Sequence, residues 1–182
     1  MKVYFVFLLF CISLPLLAQH VSLIENGEEA KPENVDSFLR NLYTSNDYVI
    51  SFRLRLSDTV NEKSDYFVLL KNAKILSAYN YSANSKNLKP LNLTVKSLQL
   101  VWDTFIQNDL FTMENESDIP LFCLEKYRIY NSFTYEFVLL NNGKMKKLSY
   151  YDPEYYDNAC YGMAERQKII NSVAVITHVL TQ

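Results

Sequence analysis

The sequence contains little glycine and little histidine, and each shortage excludes a class of chemistry. Only three of the 182 residues are glycine, Gly27, Gly143 and Gly162, and they lie far apart. A phosphate-binding loop needs several glycines close together, so the sequence excludes one. A nucleophile triad needs a base, and we expect both histidines, His20 and His178, to be structural or surface residues instead.

Positive charge is not in excess either. The chain has 18 Lys and Arg against 20 Asp and Glu, a formal net charge of −2, and it contains no run of basic residues. Proteins that bind nucleic acids neutralise phosphates with clustered Lys and Arg. We therefore expect no nucleic-acid partner.

The first eighteen residues read as a secretory signal peptide. Lys2 precedes a nearly continuous apolar run over residues 3–17, and Ala18 follows at a position suited to cleavage. A membrane anchor is the alternative, but the run is short for a span and contains Pro15. The sequence thus predicts a secreted or periplasmic protein, residues 19–182, that forms one domain and does not insert into the membrane.

Cysteine is scarce as well. Removing the signal leaves Cys123 and Cys160, which we expect to form a disulfide in an oxidising compartment, with a pair of buried thiols as the alternative. The few Cys and His residues have no metal-site spacing. We expect no metal and no cofactor.

What the sequence does contain is a repeated segment. Residues 67–75, Phe-Val-Leu-Leu-Lys-Asn-Ala-Lys-Ile, recur at residues 137–145 as Phe-Val-Leu-Leu-Asn-Asn-Gly-Lys-Met, with six of nine positions identical. In each copy an apolar run meets a short polar turn and then resumes, which indicates a β-hairpin. Asn142-Gly143 suits a two-residue turn in which both residues have positive φ.

The remaining elements follow from apolar periodicity. An amphipathic helix is predicted from Pro32 to about Tyr43, and a second begins after the N-cap Thr94. Residues 48–57 alternate as a half-buried strand, and residues 121–130 form another strand. Residues 164–181 begin as a helix, although the β-branched residues from 172 to 180 also suit a strand.

These elements predict an α+β fold of two helix-plus-three-stranded antiparallel sheet pseudo-repeats. The order is α-βββ-α-βββ-α, the halves span about 33–108 and 121–181, and the helices cover one face. The strands could form two sheets or one six-stranded sheet. The layout, without any shared motif, resembles that of secreted inhibitor proteins of the β-lactamase-inhibitor type.

One segment concentrates the residues that could form a site. It is rich in tyrosine and carboxylates: Tyr150, Tyr151, Asp152, Glu154, Tyr155, Tyr156 and Asp157. Exposed tyrosines make good anchors for a protein or glycan partner, whereas in the alternative they pack over the sheet and the acids are solvated. A weak Ca²⁺ loop is a further possibility, although the spacing does not fit an EF-hand.

Two other polar groups have simpler interpretations. Arg53 and Arg55 alternate on one strand and could bind an anion, but such residues more often pair with acids on neighbouring strands. The acidic residues from Glu114 to Asp118 are expected to be a solvated connection.

The sequence favours a small, secreted or periplasmic, non-catalytic binding protein. Its partner would be a protein, which it could inhibit, or a glycan, bound at the sheet face or at the Tyr150–Tyr161 loop. The alternative is a carboxylate-based hydrolase of envelope or extracellular polymers, with Asp152, Glu154 or Asp157 as its acid or base. A purely structural envelope component is the third hypothesis.

Overall fold

A computed structural model of the chain describes residues 24–25, 28–29, 37–56, 65–118, 127–160 and 163–182, and these residues form one sheet with four α-helices. In chain order the elements are β1 (Ile24–Glu25), β2 (Glu28–Glu29), α1 (Ser37–Tyr43), β3 (Tyr48–Leu56), β4 (Tyr66–Asn72), β5 (Ile75–Ser82), β6 (Asn87–Pro90), α2 (Val95–Gln107), β7 (Phe133–Asn141), β8 (Lys144–Tyr151), α3 (Pro153–Ala159) and α4 (Ala164–Leu180). A short 3₁₀ turn spans Glu116–Asp118. Within these ranges, no helix has the length and apolar character of a membrane span.

The strands form a single eight-stranded sheet in the order β2-β1-β8-β7-β3-β4-β5-β6. From β8 to β6 all neighbours are antiparallel, whereas β1 runs parallel to β8. The α+β class is confirmed. Of the two alternatives for the strands, two sheets or one, the structure has one continuous sheet. The signal peptide and its cleavage site lie outside the described residues and stay a prediction.

The central strand β3 pairs with both copies of the repeated segment. Phe52 lies opposite Phe67 of β4 on one side and opposite Phe137 of β7 on the other. Both copies therefore share one register against one strand, and their hairpins extend from it in opposite directions. The structure does not confirm the predicted arrangement of two separate three-stranded halves, because β3 joins both hairpins in one sheet. A match at six of nine positions specifies a hairpin but not the edge on which it docks.

The strand predicted at residues 121–130 is not tested over most of its length. Residues 121–126 lie outside the described residues, and residues 127–130 are not in a strand. The second half therefore adds only β7 and β8 to the described sheet.

The two hairpins close at different positions despite their shared sequence. In the β7–β8 turn, Asn142 and Gly143 have φ of 48° and 74°, which confirms the predicted turn. The β4–β5 turn uses Ala73 and Lys74 instead, and only Ala73 has positive φ. Ala73 occupies the position that matches Gly143, and the first hairpin turns one residue later along the repeat than the second.

The main core lies between the sheet and two helices, α2 and α4. It contains Ile50, Phe67, Leu69, Phe137, Leu139 and Leu148 from the strands and Leu98, Val101, Phe105, Ile169, Val173 and Ile176 from the helices. Each such side chain contributes about 1.5–3 kcal/mol on full burial. Thr94 caps α2 as predicted, because its side-chain oxygen accepts a hydrogen bond from the Ser97 N–H at 3.1 Å.

The first helix packs on the opposite face of the sheet. Leu39 of α1 belongs to a second cluster with Val49, Val68 and Leu70. The prediction that all helices cover one face is therefore wrong. The repeated Phe-Val-Leu-Leu run is apolar at every position, and a strand of that kind needs cover on both faces.

Several short elements were not predicted: the two-residue strands β1 and β2, the 3₁₀ turn, strand β6 and helix α3. Strand β6 lies in a polar stretch, and α3 falls inside the tyrosine-rich segment. Local signals for α3 are present, because Asp152 is a favourable N-cap residue and Pro153 occupies the first helical turn. The C-terminal segment is a helix throughout, so the strand alternative for it is excluded.

Candidate functional site

The predicted site residues lie at the end of β8 and along α3. Asp152 connects the two elements with φ of 36°, and its Oδ1 accepts a hydrogen bond from the Tyr155 N–H at 3.2 Å. Its Oδ2 accepts a second hydrogen bond from the Ser132 hydroxyl. Asp152 therefore shapes the turn into α3 and links it to the residues before β7.

Two of the four tyrosines lie in the interior. Tyr150 is fully buried, and its hydroxyl donates to the Glu114 carbonyl oxygen at 2.6 Å. Tyr156 is buried as well, and its hydroxyl oxygen accepts from the Ile129 N–H at 3.2 Å. Burial raises the pKa of Tyr150 above its usual range, so its hydroxyl stays a neutral donor.

The other two tyrosines reach the surface to different degrees. Tyr151 is half-buried, and its hydroxyl oxygen accepts from the Ser132 N–H at 3.1 Å. Tyr155 is 37 % exposed and packs edge-on against Tyr156. The segment thus offers a partner mainly one ring, which is a small surface for an interface anchor.

The three carboxylates of the segment make separate contacts. Glu154 Oε1 accepts from the Tyr135 hydroxyl at 2.6 Å, and Asp157 accepts from the side-chain amide of Gln167. Burial, with the hydrogen bond to Glu154, raises the pKa of Tyr135 above its usual range. The second oxygen of Glu154 is buried without a partner among the described residues. Acid–base hydrolysis needs two facing carboxylates, and no described contact joins Asp152, Glu154 and Asp157 to one another.

A buried ion pair lies beneath this segment. Arg166 of α4 has no exposed surface, and its Nε donates to Glu116 Oε1 at 3.2 Å while its Nη1 donates to the Tyr156 carbonyl at 3.0 Å. Glu116 Oε2 accepts from the Tyr151 N–H at 2.9 Å. Burial raises the pKa of Glu116, although the Tyr151 N–H and the Arg166 charge oppose this effect.

The ion pair corrects the interpretation of the acidic connection as solvated at Glu116 alone, since Glu114 and Asp118 are exposed. Glu116 contacts β8 through the Tyr151 N–H and α4 through Arg166, which in turn donates to α3, so the Glu116 side chain is part of the interior. A signal was present in the sequence, because Arg166 precedes Ile169 by three residues and shares its apolar stripe. An arginine at such a position needs a buried carboxylate, but its identity depends on the fold.

The remaining predictions, for the two arginines, the disulfide and a metal site, have different outcomes. Arg53 Nη2 and Arg55 Nε contact the same carboxylate, Glu136 of β7, at 2.5 Å and 2.8 Å, which confirms cross-strand pairing. Cys160 is buried at the end of α3, but Cys123 lies outside the described residues, so their disulfide stays a prediction. In the part of the chain that the structure describes, no three His, Cys, Asp or Glu side chains could hold a metal ion.

A different part of the molecule has the geometry of a binding site. A groove of about 330 Å³ opens where the C-terminal turn of α4 passes over the ends of β3, β4 and β5. We call it the α4 groove. It is lined by Phe52, Arg53, Leu54, Asp65, Phe67, Asn80, Leu91, Ile176, Thr177 and Leu180.

The groove exists because β3 is longer than the helical cover above it. Leu54 continues the alternation of Ile50 and Phe52 on the face that α4 covers, but α4 ends at Leu180. Leu54 is therefore 46 % exposed and Leu180 is 48 % exposed. Large apolar side chains that line a concavity together are typical of a binding surface.

A second, wider depression is lined by seven polar residues and by the exposed side chains of Val95 and Leu100. It lies between the start of α2 and the end of α4 and includes Lys96, Gln99, Asp103 and Gln182. His178 lies in its wall, exposed, with its Nε2 at 2.7 Å from the Gln182 side-chain nitrogen. A surface role is thus the one that the structure gives to this histidine.

Comparison with known proteins adds no further information. No protein-family model, curated protein or solved structure matches this chain. The function has to be argued from the described residues alone.

Proposed function

We propose that the protein is an exported, non-catalytic binding protein that holds an apolar side chain of a partner protein in the α4 groove. The observation that carries this proposal is the pair of half-exposed leucines, Leu54 and Leu180, that face a groove of about 330 Å³. Pockets of this size, lined mainly by apolar side chains with a few polar groups, are the usual form of ligand sites.

The groove favours a protein partner over a glycan. Its exposed apolar surface comes from leucines, which suit an aliphatic or aromatic side chain. Sugars are instead held by stacking on flat aromatic rings, and two of the four tyrosines proposed for that purpose are interior. The export signal over residues 1–18 belongs to the same proposal and places the encounter in the periplasm or outside the cell.

The expected energetics are those of one anchor within a larger contact. Burying a leucine or phenylalanine side chain contributes about 1.5–3 kcal/mol. A stable interface also needs surrounding contacts that exclude water from the anchor. We therefore expect peptides that present one large apolar side chain to bind weakly but specifically.

A selection experiment tests the proposal. A random dodecapeptide library displayed on phage is panned against the immobilised protein, and the enriched peptides are then measured on three proteins. These are the unmodified protein, Leu54→Asp and the control Tyr155→Ala. We expect peptides with a shared large apolar residue, a loss of at least tenfold in affinity with Leu54→Asp, and no change with Tyr155→Ala.

The stability of the variants keeps this test interpretable. Leu54 is half-exposed, so its replacement should change the free energy of unfolding by less than about 1 kcal/mol. Peptides that lose affinity with Tyr155→Ala but not with Leu54→Asp would move the site to α3. A selection that enriches no peptide at all would contradict the proposal.

A further inference from the structure

Two charged residues line the α4 groove, and they differ in whether their charge is already paired within the protein. Arg53 is the one cation among the lining residues, and its guanidinium is already held by Glu136 at 2.5 Å and by the Tyr66 hydroxyl at 2.7 Å. Arg53 alternates with Phe52 and Leu54, so its side chain extends from the opposite face of the sheet. Its charge is therefore used by another contact and does not serve the groove.

Asp65 is the one carboxylate among the lining residues, and its charge is not paired with any described residue. It is exposed at the start of β4, and no cation or hydrogen-bond donor of the described residues contacts it. The half-buried side chain of Asn80 likewise has no partner among those residues. Among the described residues, the groove therefore carries a negative charge without a counter-charge beside its apolar floor.

The end of α4 adds to this negative potential. The helix has 17 residues and ends at Leu180, which lines the groove. The last carbonyl groups of a helix carry a partial negative charge that favours cations nearby. The hydroxyl of Thr177 donates to the Val173 carbonyl at 3.1 Å, so its oxygen presents lone pairs at the same rim.

We infer that the group bound in the α4 groove combines an apolar body with a positive charge, as in a partner segment where a large apolar residue adjoins Lys or Arg. This inference rests on the proposed function and specifies the chemistry of its partner. The apolar body contacts Leu54 and Leu180, and the cation reaches Asp65. An acidic or uncharged apolar segment lacks the second contact.

Three small probes of one length separate charge from apolar burial. Hexylammonium, 1-hexanol and hexanoate are titrated into ¹⁵N-labelled protein, and the amide shifts of residues around the groove give the dissociation constants. Exposed ion pairs are weak, so we expect hexylammonium to bind about two- to fivefold more tightly than 1-hexanol, with hexanoate weakest. The preference should decrease as ionic strength rises.

Matched variants assign the preference to its source. Asp65→Asn should equalise hexylammonium and 1-hexanol without abolishing either. Asp103 is an exposed carboxylate on α2 that accepts a hydrogen bond from the Gln99 side chain at 2.8 Å. The control substitution Asp103→Asn should leave the preference unchanged. Equal binding of all three probes to the unmodified protein, or tighter binding of hexanoate, would overturn the inference and leave the groove as a site. Shifts from none of the probes would instead count against the proposed function itself.

Discussion

The tyrosine-rich segment and the α4 groove differ in how their functional groups are used. In the segment, each carboxylate and three of the four tyrosines contact other parts of the protein, and the buried Glu116–Arg166 pair connects them to α4. In the groove, two leucines are half-exposed and Asp65 has no described partner. The segment that is richer in tyrosines and carboxylates is thus the one whose side chains mainly contact the rest of the protein.

The difference shows what marks a binding surface in this fold. A high density of polar and aromatic residues indicates that many contacts will form, and these contacts can all be internal. Exposed apolar area and an unpaired charge remain available to a partner. Substitutions in the two regions should therefore show that the segment is structural and the groove is not.

The largest difference should come from the two carboxylates Glu116 and Asp65. Glu116→Ala leaves Arg166 buried without its counter-charge, which should lower the free energy of unfolding by about 3–5 kcal/mol. Asp65→Ala should change it by less than about 0.5 kcal/mol. Urea denaturation followed by circular dichroism measures both. Equal effects of the two substitutions would remove the distinction between the regions.

The dependence of stability on pH should be the next largest effect. Burial raises the pKa of Glu116 in the folded state, so the folded protein holds this proton more tightly than the unfolded chain does. The contribution of Glu116 to stability is therefore complete below its unfolded pKa and decreases as pH rises through the folded value. Each unit between the two values corresponds to about 1.4 kcal/mol.

The comparison protein for this measurement is Glu116→Gln, which cannot titrate at this position. Its free energy of unfolding, subtracted from that of the unmodified protein, should give a difference that falls with rising pH in that window and is flat above it. A difference that rises with pH would mean that Arg166 outweighs burial and lowers the pKa of Glu116.

The smallest effect concerns single hydroxyl groups. Tyr150→Phe removes the hydrogen bond to the Glu114 carbonyl and should cost about 1 kcal/mol, because the acceptor is left inside the protein. Tyr155→Phe, on the exposed side of α3, should cost less than about 0.5 kcal/mol. Thermal or urea unfolding distinguishes them, and a larger cost at Tyr155 would show that the exposed ring is the structural one.

Local signals predicted the elements whose causes are local. The Asn142-Gly143 turn, the Thr94 cap and the apolar stripe of α4 each depend on residues within a few positions of one another, and the structure has all three. The same kind of signal, Asp152 followed by Pro153, was present for α3. The many tyrosines and acids around it led to its interpretation as a loop.

The arrangement of the elements depends on distant contacts that periodicity does not contain. The two copies of Phe-Val-Leu-Leu are identical, yet they dock on opposite sides of β3. The turn shift between them leaves Ile75 73 % exposed, whereas Met145, at the matching position, is buried. Matching residues of the two hairpins therefore differ in burial.

The groove could not be predicted for a related reason. Its residues come from three strands, the stretch after β6 and α4, and it forms because β3 extends past the end of the helix. The sequence does show Leu54 and Leu180 as the last members of two apolar stripes. Whether such terminal residues are covered depends on how the two elements are aligned, which only the structure shows.

The central claim is that a partner binds at the α4 groove and not at the tyrosine-rich segment. A selected peptide carrying photo-leucine in place of its large apolar residue can be cross-linked to the protein and mapped by mass spectrometry. We expect attachment to the groove residues around Leu54 and Leu180, with loss of cross-linking in Leu54→Asp. Attachment around Tyr151 and Tyr155 that persists in Leu54→Asp would contradict it.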